Sequence, residues 1–337
     1  MGARAPAFWR TRSAPALLLW PLSCVFGVLA SIRRRLYRTG LLQAIGLPLP
    51  VIVVGNIAVG GSGKTPTVDW LVRQLRAAGW TPGIVSRGYG GSLEDVALVA
   101  ADSDPAICGD EPVLLARLTG CPVAVGRDRP AAARALIEAH GACDVIIADD
   151  GMQHYRLGRD IEIAVVDEAT LGNRLLLPAG PLREPLQRLS EVDLVVSHGA
   201  LSAAVLAAIG AVPRAAMVLE GRELRALRPP FERRPASAFA GQRVHAVAGI
   251  GRPERFFAQL RAMGLDVVPH PFPDHHAFTA ADLDFAPGEA KLMTSKDAVK
   301  CAAFAPDNTW EFPVQASIGS DAAERILEKL NNGRQTA

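Results

Sequence analysis

The sequence predicts a doubly wound α/β fold, with a mostly parallel sheet between helices, a second, smaller α/β domain, and an N-terminal membrane-associated helix. Three observations predict it. Short, unalternating apolar runs lie at 51–55 (VIVVG), 82–86, 96–100, 122–126, 144–149 (DVIIAD), 161–167 (IEIAVVD) and 192–197 (VDLVVS), and helical patterns at 65–78, 110–119 and 128–140 alternate with them. Strands of that kind are buried on both faces, as in a parallel sheet covered by helices. A second series of runs follows a Pro- and Arg-rich stretch, and an uncharged segment precedes the first.

A chain of 337 residues, 49% of them apolar, has enough material for two compact cores. Its 31 Gly and 25 Pro follow no period, which excludes collagen-like and low-complexity readings. The net charge of +2, with no basic stripe interleaved with aromatics, gives no reason to expect nucleic acid as a partner. Cys24, Cys108, Cys121, Cys143 and Cys301 are scattered and odd in number, so neither a disulfide framework nor a zinc site is expected. A reducing compartment fits. A monomer is expected.

Residues 14–31, APALLLWPLSCVFGVLAS, carry no charge. Arg10 and Arg12 precede them and IRRRLYR (32–38) follows. Eighteen helical residues span about 27 Å, slightly short of a bilayer core. Pro21 would kink the helix. Basic flanks on both sides suit a helix lying in an anionic leaflet. A buried core helix and a cleaved signal peptide are the competing readings.

The expected division is 1–40 for this segment, 41–225 for the core domain and 226–337 for the smaller domain. A linker is expected in or near LRALRPPFERRPASAFAGQ (224–242). The smaller domain reads as a strand at 243–249, a helix at 252–263, strands at 265–269 and 291–294, and a final helix at 320–331. No repeat of solenoid period is present.

The run AVGGSGKT (58–65) matches the phosphate-loop pattern G-x-x-x-x-G-K-[ST], with Ala58 in place of the first Gly. Ala58, Val59, Gly60, Gly61, Ser62, Gly63, Lys64 and Thr65 therefore form the candidate nucleotide site of a P-loop NTPase core. Glycines let backbone N–H groups approach an anion, and Pro66 can start the helix whose N-terminus favours it. Lys64 would contact the β- and γ-phosphates and Thr65 would place its hydroxyl on Mg²⁺. Asp149 and Asp150, at the C-terminal end of an apolar strand, form the acidic partner, or else a surface turn. Asp110 in CGDEP (108–112) is either a helix cap or a general base. FPDHHAF (272–278) places His275 and His276 in the smaller domain.

These motifs, taken in order, resemble one family. RRRLYRTGLL follows the apolar segment, and then come VIVVGNIAVGGSGKTP, SRGYGG (86–91), GDEP (109–112), DDGMQH (149–154), LLPAGPLREPL (176–186), GIGRPERFF (249–257), FPDHHAF and MTSKDAVK (293–300). Together they span nearly the whole chain. DDGMQH and LLPAGPLREPL are not general features of phosphate loops. The family is tetraacyldisaccharide 4'-kinase, the lipid A 4'-kinase. The resemblance implies transfer of the γ-phosphoryl of ATP to the 4'-hydroxyl of a lipid A disaccharide 1-phosphate, giving lipid IVA at the cytoplasmic face of the bacterial inner membrane. It implies ATP and Mg²⁺, Asp110 as base assisted by His275 in preference to His276, Asp149 and Asp150 as the Walker-B pair, and Glu111 helping to hold the metal. Arg183 is implied as a contact to the lipid headgroup. The family usually has Thr where this chain has Ser62 and Glu where it has Ser295. If base and histidine come from different domains, closure about a hinge near the linker would assemble the site and exclude water.

Two other classes compete. A membrane-recruited regulatory NTPase would share the phosphate loop and the apolar segment. TSKD (294–297) misses the guanine-reading N/T-K-x-D pattern by one position, so GTP is not indicated. A kinase of a soluble metabolite would have no use for the N-terminal segment.

Overall fold

The computed structural model describes residues 6–335. In chain order the strands are β1 (Val51–Gly55), β2 (Pro82–Ser86), β3 (Ala97–Val99), β4 (Val123–Val125), β5 (Val145–Asp149), β6 (Ile161–Val166), β7 (Leu194–His198), β8 (Arg214–Glu220), β9 (Glu223–Ala226), β10 (Arg233–Pro235), β11 (Arg243–Ala248), β12 (Asp266–Pro271), β13 (Ala290–Thr294), β14 (Thr309–Phe312) and β15 (Gln315–Ile318). The helices are α1 (Ala14–Arg38), α2 (Lys64–Ala77), α3 (Pro105–Cys108), α4 (Asp110–Thr119), α5 (Arg129–Ala139), α6 (Ala203–Ile209), α7 (Pro253–Ala262), α8 (Ser295–Cys301) and α9 (Ser320–Gln335).

The larger sheet has the order β15-β8-β7-β6-β1-β5-β2-β4-β3, parallel except for its two edge strands. Its inner strands β1, β2 and β5 are buried at every residue, because helices cover both faces. The chain order reverses direction beside β1, between β5 and β6, and the crevice at the carboxyl ends of these strands is where such sheets bind ligands. The smaller sheet has the order β10-β9-β14-β13-β11-β12, with β9 and β10 antiparallel to their neighbours.

Two expectations need correction here. The Pro- and Arg-rich segment 224–242 is not itself the linker, which lies just before it at Gly221–Arg222. It forms the β9–β10 edge of the smaller sheet, and Leu224, Ala236 and Phe239 are buried in that sheet's core. The final helix does not belong to the smaller domain. β15 pairs with β8, and Ala322, Ala323, Ile326 and Leu330 of α9 join the core of the larger domain. The chain therefore crosses between domains twice, at Gly221–Arg222 and at Pro313–Val314, and the crossings touch. A Cβ on Gly221 would lie 2.5 Å from Phe312 Cζ. The pair β8–β15 in one sheet thus continues into β9–β14 in the other as a two-stranded antiparallel ribbon.

α1 runs unbroken through Pro21. It is not a core helix. Ala16 and Ser23 are its buried residues, while Leu17, Leu18, Trp20, Leu22, Val25, Val28, Leu29 and Ile32 are exposed. At 25 residues it extends about 37 Å, long enough to cross a membrane by length and composition. Its inner face is pinned to the segment after β6. Ser23 Oγ donates to Leu176 O (2.8 Å) and accepts from Ala179 N–H (3.0 Å), Trp9 Nε1 donates to Pro178 O, and Arg34 and Arg38 pair with Glu191.

Candidate active site

The phosphate loop leaves β1 at the reversal point. Asn56 Nδ2 donates to Gly60 O (3.2 Å) and to Ser62 Oγ (3.1 Å), closing the loop on itself. From outside, Val59 N–H donates to Pro181 O (2.9 Å), and the N–H groups of Arg183 and Glu184 reach Ile57 O. The segment that pins α1 therefore also props this loop. Gly63 has φ +98°, a conformation that side chains resist, and a Cβ there would meet Met217 Cε at 2.5 Å. Lys64 and Thr65 open α2, where the unpaired N–H groups of the first turn face the crevice.

Asp149 and Asp150 end β5 one strand away, with Asp149 opposite Val54. Their environments differ. Asp149 is 1% exposed; its Oδ2 accepts from Ser86 Oγ (3.2 Å) and its Oδ1 has no hydrogen-bond partner. Burial, together with the charges of Glu111 and Asp150, pushes its carboxyl up to about 7. For Asp150, burial is outweighed by Lys64 (3.6 Å) and by Arg183, whose Nη1 lies 3.0 Å from both carboxylate oxygens, and the carboxyl falls to about 2. Arg183, expected at the lipid headgroup, thus spends Nη1 on Asp150 and Gln153. Arg129, fully buried, donates to the backbone carbonyls of both aspartates.

Asp110 is not the cap of α4. Gly109 occupies that position, and Asp110 is the first helical residue. It is 6% exposed. Its Oδ1 accepts from Glu111 N–H (2.9 Å) and its Oδ2 lies 3.1 Å from His275 Nδ1, which comes from the smaller domain. Burial would raise this carboxyl, but the His275 hydrogen bond and the charges of Lys296 and Lys300 hold it below the usual range. His275 has φ +57°; its N–H donates to Gly249 O, and Tyr89 meets its ring edge-on at 5.2 Å. His276 is turned elsewhere, 3.3 Å from Asp282.

Glu111 faces Lys296 Nζ at 3.1 Å. Lys296 and Lys64 outweigh burial and lower its carboxyl. Lys296, from α8, is a site residue that the sequence pattern does not single out, although it lies in TSKD. Its signal was a lysine next to an acid in a motif with no guanine to read. A second cross-domain cluster also went unread. Buried Asp167, just after β6, accepts a hydrogen bond from Arg252 Nη1 through Oδ2 and pairs with the Arg255 charge there, both at 2.9 Å, and Arg255 Nη1 also lies 2.9 Å from His198 Nδ1.

The oxygen donors present fit Mg²⁺. The Thr65 hydroxyl, Asp149 with its orphaned buried oxygen, and Glu111 are hard ligands. Among the described residues no three His, Cys, Asp or Glu side chains converge as a cage. Mg²⁺ needs none, since it keeps waters and phosphate oxygens beside one or two carboxylates.

The family model of tetraacyldisaccharide-1-P 4'-kinase, LpxK, matches residues 15–332. The tetraacyldisaccharide 4'-kinase of Azoarcus sp. (strain BH72) is 69% identical over 335 residues, covering 99% of this chain and 97% of that protein. That of Aromatoleum aromaticum is 67% identical over the full length of both chains. The crystal structure of LpxK from Aquifex aeolicus, described as an "apo" form in complex with ATP, superposes with a TM-score of 0.79 at 30% identity, covering 94% of this chain and 99% of that one. On the full-length match and this shared architecture, the chain belongs to the tetraacyldisaccharide 4'-kinase family, the kinases of lipid A biosynthesis.

Proposed function

We propose that this chain moves the γ-phosphoryl of ATP onto the 4'-hydroxyl of tetraacyldisaccharide 1-phosphate with Asp110 as the base. The observation that carries the reading is the 3.1 Å contact between Asp110 Oδ2 and His275 Nδ1 across the two domains. Asp110 takes the hydroxyl proton as the new O–P bond forms. The bond from γ-phosphorus to the bridging oxygen breaks, and ADP keeps that electron pair. His275 orients the carboxylate and steadies it. A carboxyl held below its usual range is ionised at neutral pH and ready to accept.

Residues 58–65 cradle the phosphates, and Lys64, 11% exposed, lies beside them. Thr65, Asp149 and Glu111 would hold Mg²⁺, which neutralises phosphate charge when bound with the nucleotide. Asp150 sits behind Lys64 and aligns it. The part of the Arg183 guanidinium not spent on Asp150 and Gln153 would meet the acceptor headgroup. The exposed face of α1 would seat the enzyme in the cytoplasmic leaflet of the bacterial inner membrane, where an acceptor with four acyl chains resides. There the acceptor is met by lateral search.

The test uses protein in detergent with Mg²⁺, γ-labelled ATP and the disaccharide 1-phosphate lipid, read by thin-layer chromatography. Label should enter a lipid spot and vanish with Lys64→Ala. Asp110→Asn should lower kcat by about 10²- to 10⁴-fold with little change in KM for ATP. A near-normal kcat for Asp110→Asn would refute the base assignment.

A further inference from the structure

Lys296 reaches three groups at once. Its Nζ lies 3.1 Å from His275 Nε2, 3.1 Å from Glu111 Oε1 and 3.7 Å from Asp274 Oδ1. An ammonium has three protons and no lone pair. Toward His275 it can only donate, so Nε2 must present its lone pair. A neutral imidazole with a bare Nε2 carries its proton on Nδ1. That is the nitrogen 3.1 Å from Asp110 Oδ2. The opposite tautomer would turn a lone pair toward the carboxylate and an N–H toward a cation, and both contacts would repel.

Among the described residues, no other cation is in place to do this. Lys300 stands 3.9 Å from Asp110 Oδ2 but 2.9 Å from Asp297 Oδ1, and its Nζ donates to His276 O, away from the imidazole's far nitrogen. Asp297 in turn is held by Gly249 N–H and Thr294 Oγ1. The arrangement also spans the domains. Lys296 and His275 belong to the smaller one, Glu111 and Asp110 to the larger, and a single ammonium closes the square.

We infer that Lys296 is a positioning residue for phosphoryl transfer, holding His275 in the Nδ1-protonated tautomer that grips Asp110 and tying that tautomer to Glu111 across the domain boundary. The inference rests on the reading of Asp110 and His275 as base and partner. Lys296 does not take part in the transfer itself. It sets the imidazole's proton before the acceptor arrives, so no catalytic encounter is lost to a ring with the wrong face toward the carboxylate.

The test begins with the full chain in detergent, labelled with ¹⁵N histidine. The His275 signals are assigned by their loss in His275→Gln. Nδ1 should show the shift of a protonated nitrogen and Nε2 that of a bare one. A wild-type ring protonated at Nε2 would overturn the inference without recourse to any variant. Lys296→Met should mix the tautomers and lower kcat by about 10- to 100-fold, by analogy with the loss of partners that orient metal-bound imidazoles. KM for ATP should stay within about twofold. Lys296→Arg, still a permanent donor, should restore most of the rate and the single tautomer. Lys296→Met with normal kcat, or with reduced kcat and an unchanged tautomer, would refute the inference. The two failures separate through His275→Ala. Full activity there would sink the base-and-partner reading and this inference with it. A damaged His275→Ala beside an intact Lys296→Met would sink this inference alone.

Discussion

Asp110 shows how far single residues could be read. From spacing alone, an acid after Cys-Gly and before a helix fits a cap better than a base. The fold gives the cap to Gly109 and brings His275 from 165 positions away, which is what supports the proposal of a base. Local pattern carried Lys64 and Thr65, because a phosphate loop is contiguous. It did not carry Lys296, whose meaning lies in three partners distant in sequence. His154 shows a further effect of burial. It follows Asp149 and Asp150, and burial with Arg129 and Arg159 nearby lowers its imidazole to about 4 from an ordinary 6.5. Folding therefore expels its proton at mildly acid pH. The stability it contributes is fully present above pH 6.5 and is lost as pH falls toward about 4. The midpoint of urea unfolding should drop over that window in wild type, and His154→Asn should flatten the drop. An equal drop in the variant would assign the effect to other groups.

Among the elements, the parallel strands were the most legible. A strand buried on both faces is a short apolar run, and β1 and β2 lie at the positions read from sequence. Of the missed strands, β8, β9, β10 and β15 are edge or half-exposed pieces with alternating or charged residues, as in RAAMVLE of β8, where exposed and buried positions alternate, whereas β14 is a mostly buried inner strand of four residues, too short to stand out as an apolar run. Their pairing is decided by what lies beside them. α1 is a different case. Its composition predicted an exposed apolar surface, but not that Ser23 would be buried and bonded to the loop segment around Leu176 and Ala179. Ser23→Ala would leave the Ala179 N–H unpaired inside the protein, at a cost of about 1–3 kcal/mol. The Val59 contact to Pro181 lies two residues further on. The variant should lower the unfolding midpoint and also weaken nucleotide affinity, as read by calorimetry. Unchanged affinity would show that the prop under the phosphate loop does not depend on the helix.

At the scale of the whole molecule, two α/β domains were legible because each has its own strand–helix alternation, while their boundary was not. Pro and Arg density suggested a linker where the chain in fact builds an edge, and the return of β15 and α9 to the larger domain leaves no mark in composition. Contacts across the boundary gather at the square of Asp110, Glu111, His275 and Lys296 and at Asp167 with its two arginines. Asp167→Ala would remove the carboxylate that pairs with both guanidiniums, leaving Arg255 its His198 contact, and shift the population toward separated domains. Scattering should then show a larger radius of gyration, and kcat/KM for both substrates should fall by about 10-fold. Scattering identical to wild type, with unchanged kcat/KM, would mean that this contact does not govern closure. The two crossings have one further consequence. A single strand of chain would let the smaller domain swivel in any direction. Two antiparallel strands lying side by side, with the Gly221 backbone packed against Phe312, behave as a strap: easy to flex across its width, stiff to twist or shear. Any motion of the smaller domain would then follow one arc, and His275 and Lys296 would leave and regain Asp110 and Glu111 together and from one side only.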